Sequence, residues 1–552
     1  MKIRIVAFAL TCISVALASE GGVPARKKVI AYGWDFGGVS IRNVLAHTNQ
    51  FDNLPIDGAG FLVSGWLPNG KKISSRGIMH ESGWSKEVFA RQIPMWRAIT
   101  SHPRMRESTL GTFRAPKTRL SWTDDATWSR IATNLSVAAW IAKEGGFKGL
   151  TVDPEDYHKV EQFKRLSGDP EWNELTSIVR RRGYELFSAM FREFPDAVVV
   201  FFWGFSMVHS PWSQSLYLRN PEEAMKGAGE LWPSFLNGIL DAMPETAKFV
   251  DGDEYSYEYE ASKNDYFEAA FRQRLRALPI VAPENRAKYS KCLRSASAIY
   301  LDMFVNPEGS KWYAGPVDGS RLEHFRQNAQ QALCAADEYI WLWGERGSWV
   351  DWKMDDWVGS MTNWEVRLPG LTRTLNVLRD PSGAAEARKA ELLKCGELTN
   401  LVENGECNAQ NGVVPKPFGT WHASKNDTGK FVSDQNAGVE GTSCLVAEGV
   451  GQGCFSFGIP DVKPGEYYLI EVSCKGEGWA VAADWKKSNG KTPFREKNRL
   501  TSFRKEKDGW SRVYGVVCVP KDSVRMTVTL NARGLSAGER VCFDNIAVYR
   551  LW

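Results

Sequence analysis

The chain has 552 residues, a formal net charge of +4, ten cysteines and 23 tryptophans. So small a charge with no long basic run gives no footing for nucleic acid, and no run of about 18 apolar residues argues for a membrane span. A chain of this length is too long for one core, which predicts two domains or more.

Lys2 and Arg4, the apolar stretch Ile5–Val15 and the Ala16-Leu17-Ala18 site before Ser19 have the form of a signal peptide over residues 1–18. The expected product is secreted or periplasmic, where disulfides are permitted. Cys12 leaves with the leader. Nine cysteines remain, an odd number that leaves at least one thiol free, and seven of them lie from Cys395 onward. The spacing of Cys444 and Cys454 permits a local loop. Neither C-x-x-C nor H-E-x-x-H occurs, so no catalytic metal is expected.

From residue 28 to 350, short β-like runs alternate with longer amphipathic segments. The runs are Val29–Phe36, Gly58–Val63, Thr109–Arg114, Gly149–Glu155, Ala197–Gly204, Phe249–Tyr257, Ala298–Phe304 and Tyr339–Glu345. Between them, Asp124–Glu144 puts Trp128, Ile131, Leu135 and Ala138 on one helical face, with Thr123 to cap its start and Gly145-Gly146 to end it. Glu171–Phe194 reads the same way and stops at Pro195. Eight strands alternating with helices predict an α/β fold, a (β/α)8 TIM barrel over residues 26–395 that ends in a charged helix around Ala384–Lys394. A doubly wound sheet is the rival, but no Gly-rich phosphate loop follows the first strand.

A barrel of this kind places its chemistry at the C-terminal ends of its strands. Those ends carry Trp34 and Asp35, then Asp153 and Glu155, Trp203, Glu254 with Tyr255 and Tyr257, Asp302, and finally Trp343 and Glu345. In Gly149-Leu-Thr-Val-Asp-Pro-Glu-Asp-Tyr157 an apolar run ends in acids, and Asp153 and Glu155, two residues apart, share a side of an extended backbone. Paired carboxyls at a strand mouth suit cleavage of a glycosidic bond, where one must be protonated and another ionised. Glu155 is the expected general acid, and Glu254 and Glu345 compete for the second role. Trp34, Trp203, Tyr255, Tyr257 and Trp343 are expected to contact substrate, because flat rings stack on sugars, and the rim acids Asp35 and Asp302 to hydrogen-bond sugar hydroxyls or backbone.

From Asn400 onward the texture changes to Gly-rich, short alternating runs: Tyr467–Val472, Trp479–Ala483, Ser511–Val517, Met526–Leu530 and Val541–Tyr549. These predict an all-β jelly-roll sandwich domain over residues 400–552. Asn400-Leu-Val-Glu-Asn-Gly405, Pro464-Gly-Glu-Tyr-Tyr468 and Phe543-Asp-Asn-Ile-Ala-Val548 resemble the opening, middle and closing strands of carbohydrate-binding modules of the family 4/9/22 group. The resemblance implies sugar binding, for which Trp421, Trp479 and Trp485 are candidate stacking rings. It also implies a structural calcium near Asp544, although Glu406-Cys407-Asn408 departs from the group's usual F-E after N-G.

In the first domain, Gly149-Leu-Thr-Val-Asp153-Pro-Glu155 is similar to the fourth-strand D-x-D-x-E of family 18 chitinases, with Thr151 in place of the first Asp. That resemblance implies Glu155 as proton donor and Asp153 as the residue that orients an acetamido group, taking the place of a protein nucleophile. The resulting expectation is a secreted glycoside hydrolase acting on a polysaccharide or glycan. The rival is a catalytically silent carbohydrate-binding protein using the same aromatic cleft. Amidase or phosphodiesterase chemistry lacks its usual parts: the chain has only seven histidines and no G-x-S-x-G.

Overall fold

The computed structural model describes residues 26–79, 82–208, 219–490 and 498–552. The leader read over residues 1–18 lies outside them. The chain divides into two compact units, Arg26–Asp380 and Pro381–Trp552.

The first unit is built on a curled nine-stranded parallel sheet. Its strands are β1 (Lys28–Gly33), β2 (Gly58–Phe61), β3 (Thr109–Thr112), β4 (Gly149–Val152), β5 (Val198–Phe201), β6 (Lys248–Asp251), β7 (Leu293–Ser295), β8 (Ala298–Tyr300) and β9 (Tyr339–Gly344). They run side by side in the order β8-β9-β1-β2-β3-β4-β5-β6-β7. The two edges, β7 and β8, are separated in the chain only by Ala296 and Ser297. Each of the eight β-like runs overlaps a strand, and β7 is the addition. The strands stop sooner than the runs do. Trp34–Gly37 is a helical turn, and Glu254–Glu258 and Leu301–Phe304 are 3-10 turns.

Period-2 alternation sorts the strand residues. Val29, Ala31, Leu150, Val152, Val199, Phe201, Ile340 and Leu342 join the core shared with the helices. Ile30, Tyr32, Val198, Val200, Phe202, Val250, Ala296, Ala298, Tyr339 and Trp341 form a separate apolar cluster on the opposite face. Size is complementary across that face. The Tyr32 ring lies where a Cβ on Gly60 would come within 2.1 Å of it, and its hydroxyl bonds Thr109 and Thr151 at 2.9 Å each. Trp341 stacks on Phe202 at 4.1 Å and donates its indole N–H to Gly252 O at 2.8 Å. Burying a ring such as Phe202 stabilises by about 1.5–3 kcal/mol.

Helix Asp125–Glu144 starts one residue later than a Thr123 cap implies, because Asp124 Oδ1 accepts from Thr127 N at 3.1 Å. Trp128, Ile131, Leu135 and Ala138 are all buried along it. Helix Trp172–Glu193 lies against Trp232–Ala242 at very close approach. A Cβ on Gly183 would meet Phe235 O at 2.2 Å, and one on Gly238 would meet Arg180 O at 1.9 Å.

The second unit is a β-sandwich of two antiparallel sheets. One has the order 419–422, 452–460, 523–533, 479–487, 498–500. The other has the order 430–434, 444–448, 540–550, 467–475, 510–518, 502–505. Phe455, Val528 and Trp485 from the first pack with Ile470, Val513 and Phe543 from the second. The Asn-Leu-Val-Glu-Asn-Gly motif docks the closing strand. Asn400 donates to Ile546 O at 3.1 Å and accepts from Val548 N at 3.0 Å, and a Cβ on Gly405 would lie 2.2 Å from Ile546 O. Helix Pro381–Lys394, expected at the end of the first domain, belongs here, since its Ala385 and Leu392 pack with Leu469 and Leu551.

Candidate functional site

Four carboxyls gather at the C-terminal ends of the parallel strands. Beyond β4, Asp153 is buried. Its Oδ1 accepts from Glu155 N at 3.2 Å, a local bond that ends the strand and turns the chain toward Glu155. Asp153 Oδ2 accepts from Arg76 Nη2 at 2.8 Å and from Tyr157 Oη at 3.1 Å. After β6, Glu254 accepts from the Trp203 indole N–H at 2.5 Å. After β9, Glu345 accepts from Tyr300 Oη at 3.0 Å and from Trp343 Nε1 at 3.2 Å.

These groups feel one another. Burial pushes Glu254 from its ordinary 4.5 up to about 8, with the charges of Asp153 and Glu155 adding to the rise and the bond from Trp203 opposing it. Burial is also the first cause of the raised Glu155 carboxyl. Asp153 and Glu345 push it the same way, while the Tyr157 hydroxyl and Arg76 pull it down. Asp153 is raised by burial against the opposing pull of Arg76. Asp153, Glu155 and Glu254, clustered and each raised first by burial, are the equipment of acid–base chemistry.

Aromatic side chains wall the site. Trp34 meets Trp343 at 6.1 Å and Trp357 at 6.4 Å between ring centroids. Tyr257 packs on Tyr300 at 5.3 Å and on Trp341 at 5.6 Å. One pocket holds Trp34, Trp343, Arg76, Thr151 and Asp153. Another, of about 340 Å³, holds Trp34, Trp357 and Glu345.

Of the residues expected here, Trp34, Asp153, Glu155, Trp203, Glu254, Tyr257, Trp343 and Glu345 are brought together. Asp35 and Asp302 serve the backbone. Asp35 is buried and accepts from Phe36 N at 3.1 Å and Trp349 N at 2.9 Å, and Asp302 Oδ2 accepts from Glu345 N at 2.7 Å. Tyr255 is 43% exposed, and the charges acting on its hydroxyl are Asp253, Glu230 and Glu258 rather than the clustered acids. The neighbouring Asp251 and Asp253 are also structural, bonded to Ser206 and to Tyr259 with Arg272. Sequence reasoning missed Arg76, Tyr300 and Trp357 and gave Tyr157 no role. Only Tyr157 carried a signal, as the last residue of the acidic stretch.

In the second unit, Trp485 is core, 1% exposed, whereas Trp421 is 55% exposed. Trp479 is half-buried beside Phe503 at 5.8 Å. Asp544 accepts from Val439 N at 2.8 Å, Asn545 N at 2.7 Å and Thr442 Oγ1 at 3.1 Å. These are the bonds of a carboxylate that holds a turn. Cys444 and Cys454 lie on different sheets, and Cys444 adjoins Cys542 instead. Among the described residues no helix is long and apolar enough to cross a membrane.

No protein-family model matches the chain, and no curated protein matches it. Solved structures overlap parts of it. The enzymatically active domain of bacteriophage CBA120 tailspike protein 4 is 16% identical over 27% of this chain and 21% of that one, with a TM-score of 0.21. The CBM22-1–GH10 modules of a Clostridium thermocellum endo-1,4-beta-D-xylanase are 14% identical over 24% and 26%, with a TM-score of 0.20. The CBM22-1 xylan-binding domain of a Paenibacillus barcinonensis protein is 11% identical over 28% of this chain and 92% of its own, with a TM-score of 0.21. The chain thus spans about a quarter or less of the first two. Overlaps this small identify no family.

Proposed function

We propose that the first unit is a glycoside hydrolase of an exported protein, with Glu155 and Glu254 as its catalytic pair. The observation that carries this reading is the raised Glu254 carboxyl, at about 8, close enough to Glu155 to be raised by its charge. In this reading the pair's proton sits on the more deeply buried Glu254. The sequence reading gave that proton to Glu155; the burial of Glu254 favours the reverse. In this scheme Glu254 donates its proton to the glycosidic oxygen as the bond to the anomeric carbon breaks. Glu155, ionised, supplies the electron pair to that carbon directly or through a water it deprotonates. Arg76 and Asp153 position Glu155, and Trp34, Trp343 and Tyr257 offer apolar faces to the sugar rings.

The reading includes closure of the sheet into a (β/α)8 barrel. β7 and β8 would be the two halves of one seventh strand, β7 pairing with β6 and β8 with β9. The apolar cluster drawn from β1, β5, β6, β8 and β9 supports this as the barrel interior.

Single variants test the pair. Glu254→Gln and Glu155→Gln should each slow hydrolysis by about a thousandfold with the fold intact. Azide should restore turnover to Glu155→Ala if that residue attacks carbon directly. Rescue of Glu254→Ala instead returns the acid role to Glu155. Near wild-type rates in both Gln variants would remove the pair from catalysis.

A further inference from the structure

The pocket of about 340 Å³ beyond β9 is lined by Trp34, Trp357, Glu345, Arg346 and Arg367 among others. Its two arginines differ from most guanidiniums of the first unit. Arg76, Arg272 and Arg379 each meet a buried aspartate. Among the described residues neither Arg346 nor Arg367 is in an ion pair with a carboxylate. Arg346 Nη1 reaches Asn306 Oδ1 only at 3.4 Å. Arg367 Nη1 donates to Arg346 O at 3.0 Å, which ties the two residues together, and its Nε is buried without a partner. The carboxylate on the same wall, Glu345, is already bonded by Tyr300 and Trp343.

A sugar entering this pocket strips water from both guanidiniums. Neutral hydroxyls compensate that loss poorly, whereas a carboxylate or sulfate matches the planar donor fork. We propose that this pocket is a subsite for an anionic sugar residue, its acid group held by Arg346 and Arg367 and its apolar face set against Trp34 or Trp357. The inference rests on the glycoside hydrolase reading for its choice of ligand class and names the kind of glycan that would be cut. The anion is a uronate carboxylate or a sulfate ester.

Binding, rather than turnover, tests it, so that failure of catalysis and failure of this subsite stay distinguishable. Tryptophan fluorescence titrations would compare oligouronates, their carboxyl-reduced counterparts, sulfated oligosaccharides and neutral oligosaccharides. Wild-type protein should bind one anionic class at least about tenfold more tightly than its neutral counterpart, with a preference that weakens in salt. Arg346→Ala, which changes an exposed side chain, should remove most of that preference and leave binding of neutral oligosaccharides unchanged. Arg367→Lys keeps the charge but loses the fork, so it should retain only part of it. Preference for oligouronates identifies a carboxylate subsite, and preference for sulfated chains a sulfate subsite. Equal binding of charged and neutral chains by the wild type, or a preference that survives Arg346→Ala and Arg367→Lys intact, would overturn the proposal. So would anionic binding with no hydrolysis of any glycan if it persisted in those variants; if they abolish it, the subsite stands and only the catalytic reading falls.

Discussion

Arg76 Nη2 lies 2.8 Å from Asp153 Oδ2, and the same guanidinium stands over the Tyr157 ring at 4.9 Å and near the Trp34 ring at 5.7 Å. One cation from the 3-10 turn Ser75–Gly77, between β2 and β3, thereby holds the acidic turn after β4 against an aromatic wall. Arg76→Met would leave Asp153 without its charge partner. The expected loss of stability is about 1–3 kcal/mol, less than a fully buried pair would lose because both partners retain some solvent. Arg76 also holds the Glu155 carboxyl down. Its removal should move the acidic limb of the pH–rate profile, which follows ionisation of Glu155, to higher pH. An unmoved limb in a folded variant would show that Arg76 does not act on Glu155.

Stability should fall as pH rises through the neutral range. Glu254 has a folded pKa of about 8 against an ordinary 4.5, so between those values the native state holds a proton that the unfolded chain releases. The contribution is fully present below 4.5 and is lost by about 8, at no more than about 1.4 kcal/mol per pH unit. Asp35 and Asp251, each pushed up to about 7 by burial, add the same sign. Thermal melts from pH 5 to 8 should show a decline that is shallower in Glu254→Gln. A melting temperature that rises across that range would contradict it.

Asp35 is expected to matter through the backbone it caps. Asp35→Ala strands the buried Trp349 N–H and should cost about 1–3 kcal/mol. Asp35→Asn keeps an acceptor and should recover part of it. Denaturant midpoints of the two variants decide this.

In the second unit two tryptophans should behave oppositely. Trp485→Ala empties core volume and should destabilise by about 3–5 kcal/mol. Trp421→Ala should leave the melt within about 0.5 kcal/mol of wild type and reduce retention on an insoluble polysaccharide if its ring stacks on sugar. Retention unchanged by Trp421→Ala would assign the sugar contact, if any, elsewhere.

Strands of the first unit are legible where apolar residues run together, as in Val198–Phe201 and Tyr339–Gly344, whereas Leu293–Ser295, three residues with an arginine at its centre, leaves no such run to read. Their ends were harder to place, since local bonds such as Glu155 N to Asp153 stop a strand before its apolar pattern fades. Strand phase held more than was read from it. Trp485 is in phase with Val481 and Ala483 and is buried with them. Arg76, Arg346 and Arg367 left no mark in the sequence. Their places follow from which connecting segments meet beyond the strand ends, and no local pattern encodes that meeting.

Hydrolysis by the Glu155–Glu254 pair leaves a chemical signature in its products. The most direct measurement is mass analysis of a glycan panel, anionic and neutral, incubated in heavy-oxygen water with wild-type protein and with Glu155→Gln. The wild type should give shortened products with a labelled reducing end, and the variant at most about a thousandth of that product over the same time. Glycans that bind and quench the cleft tryptophans yet emerge uncut from the wild type would contradict it and leave a carbohydrate-binding protein.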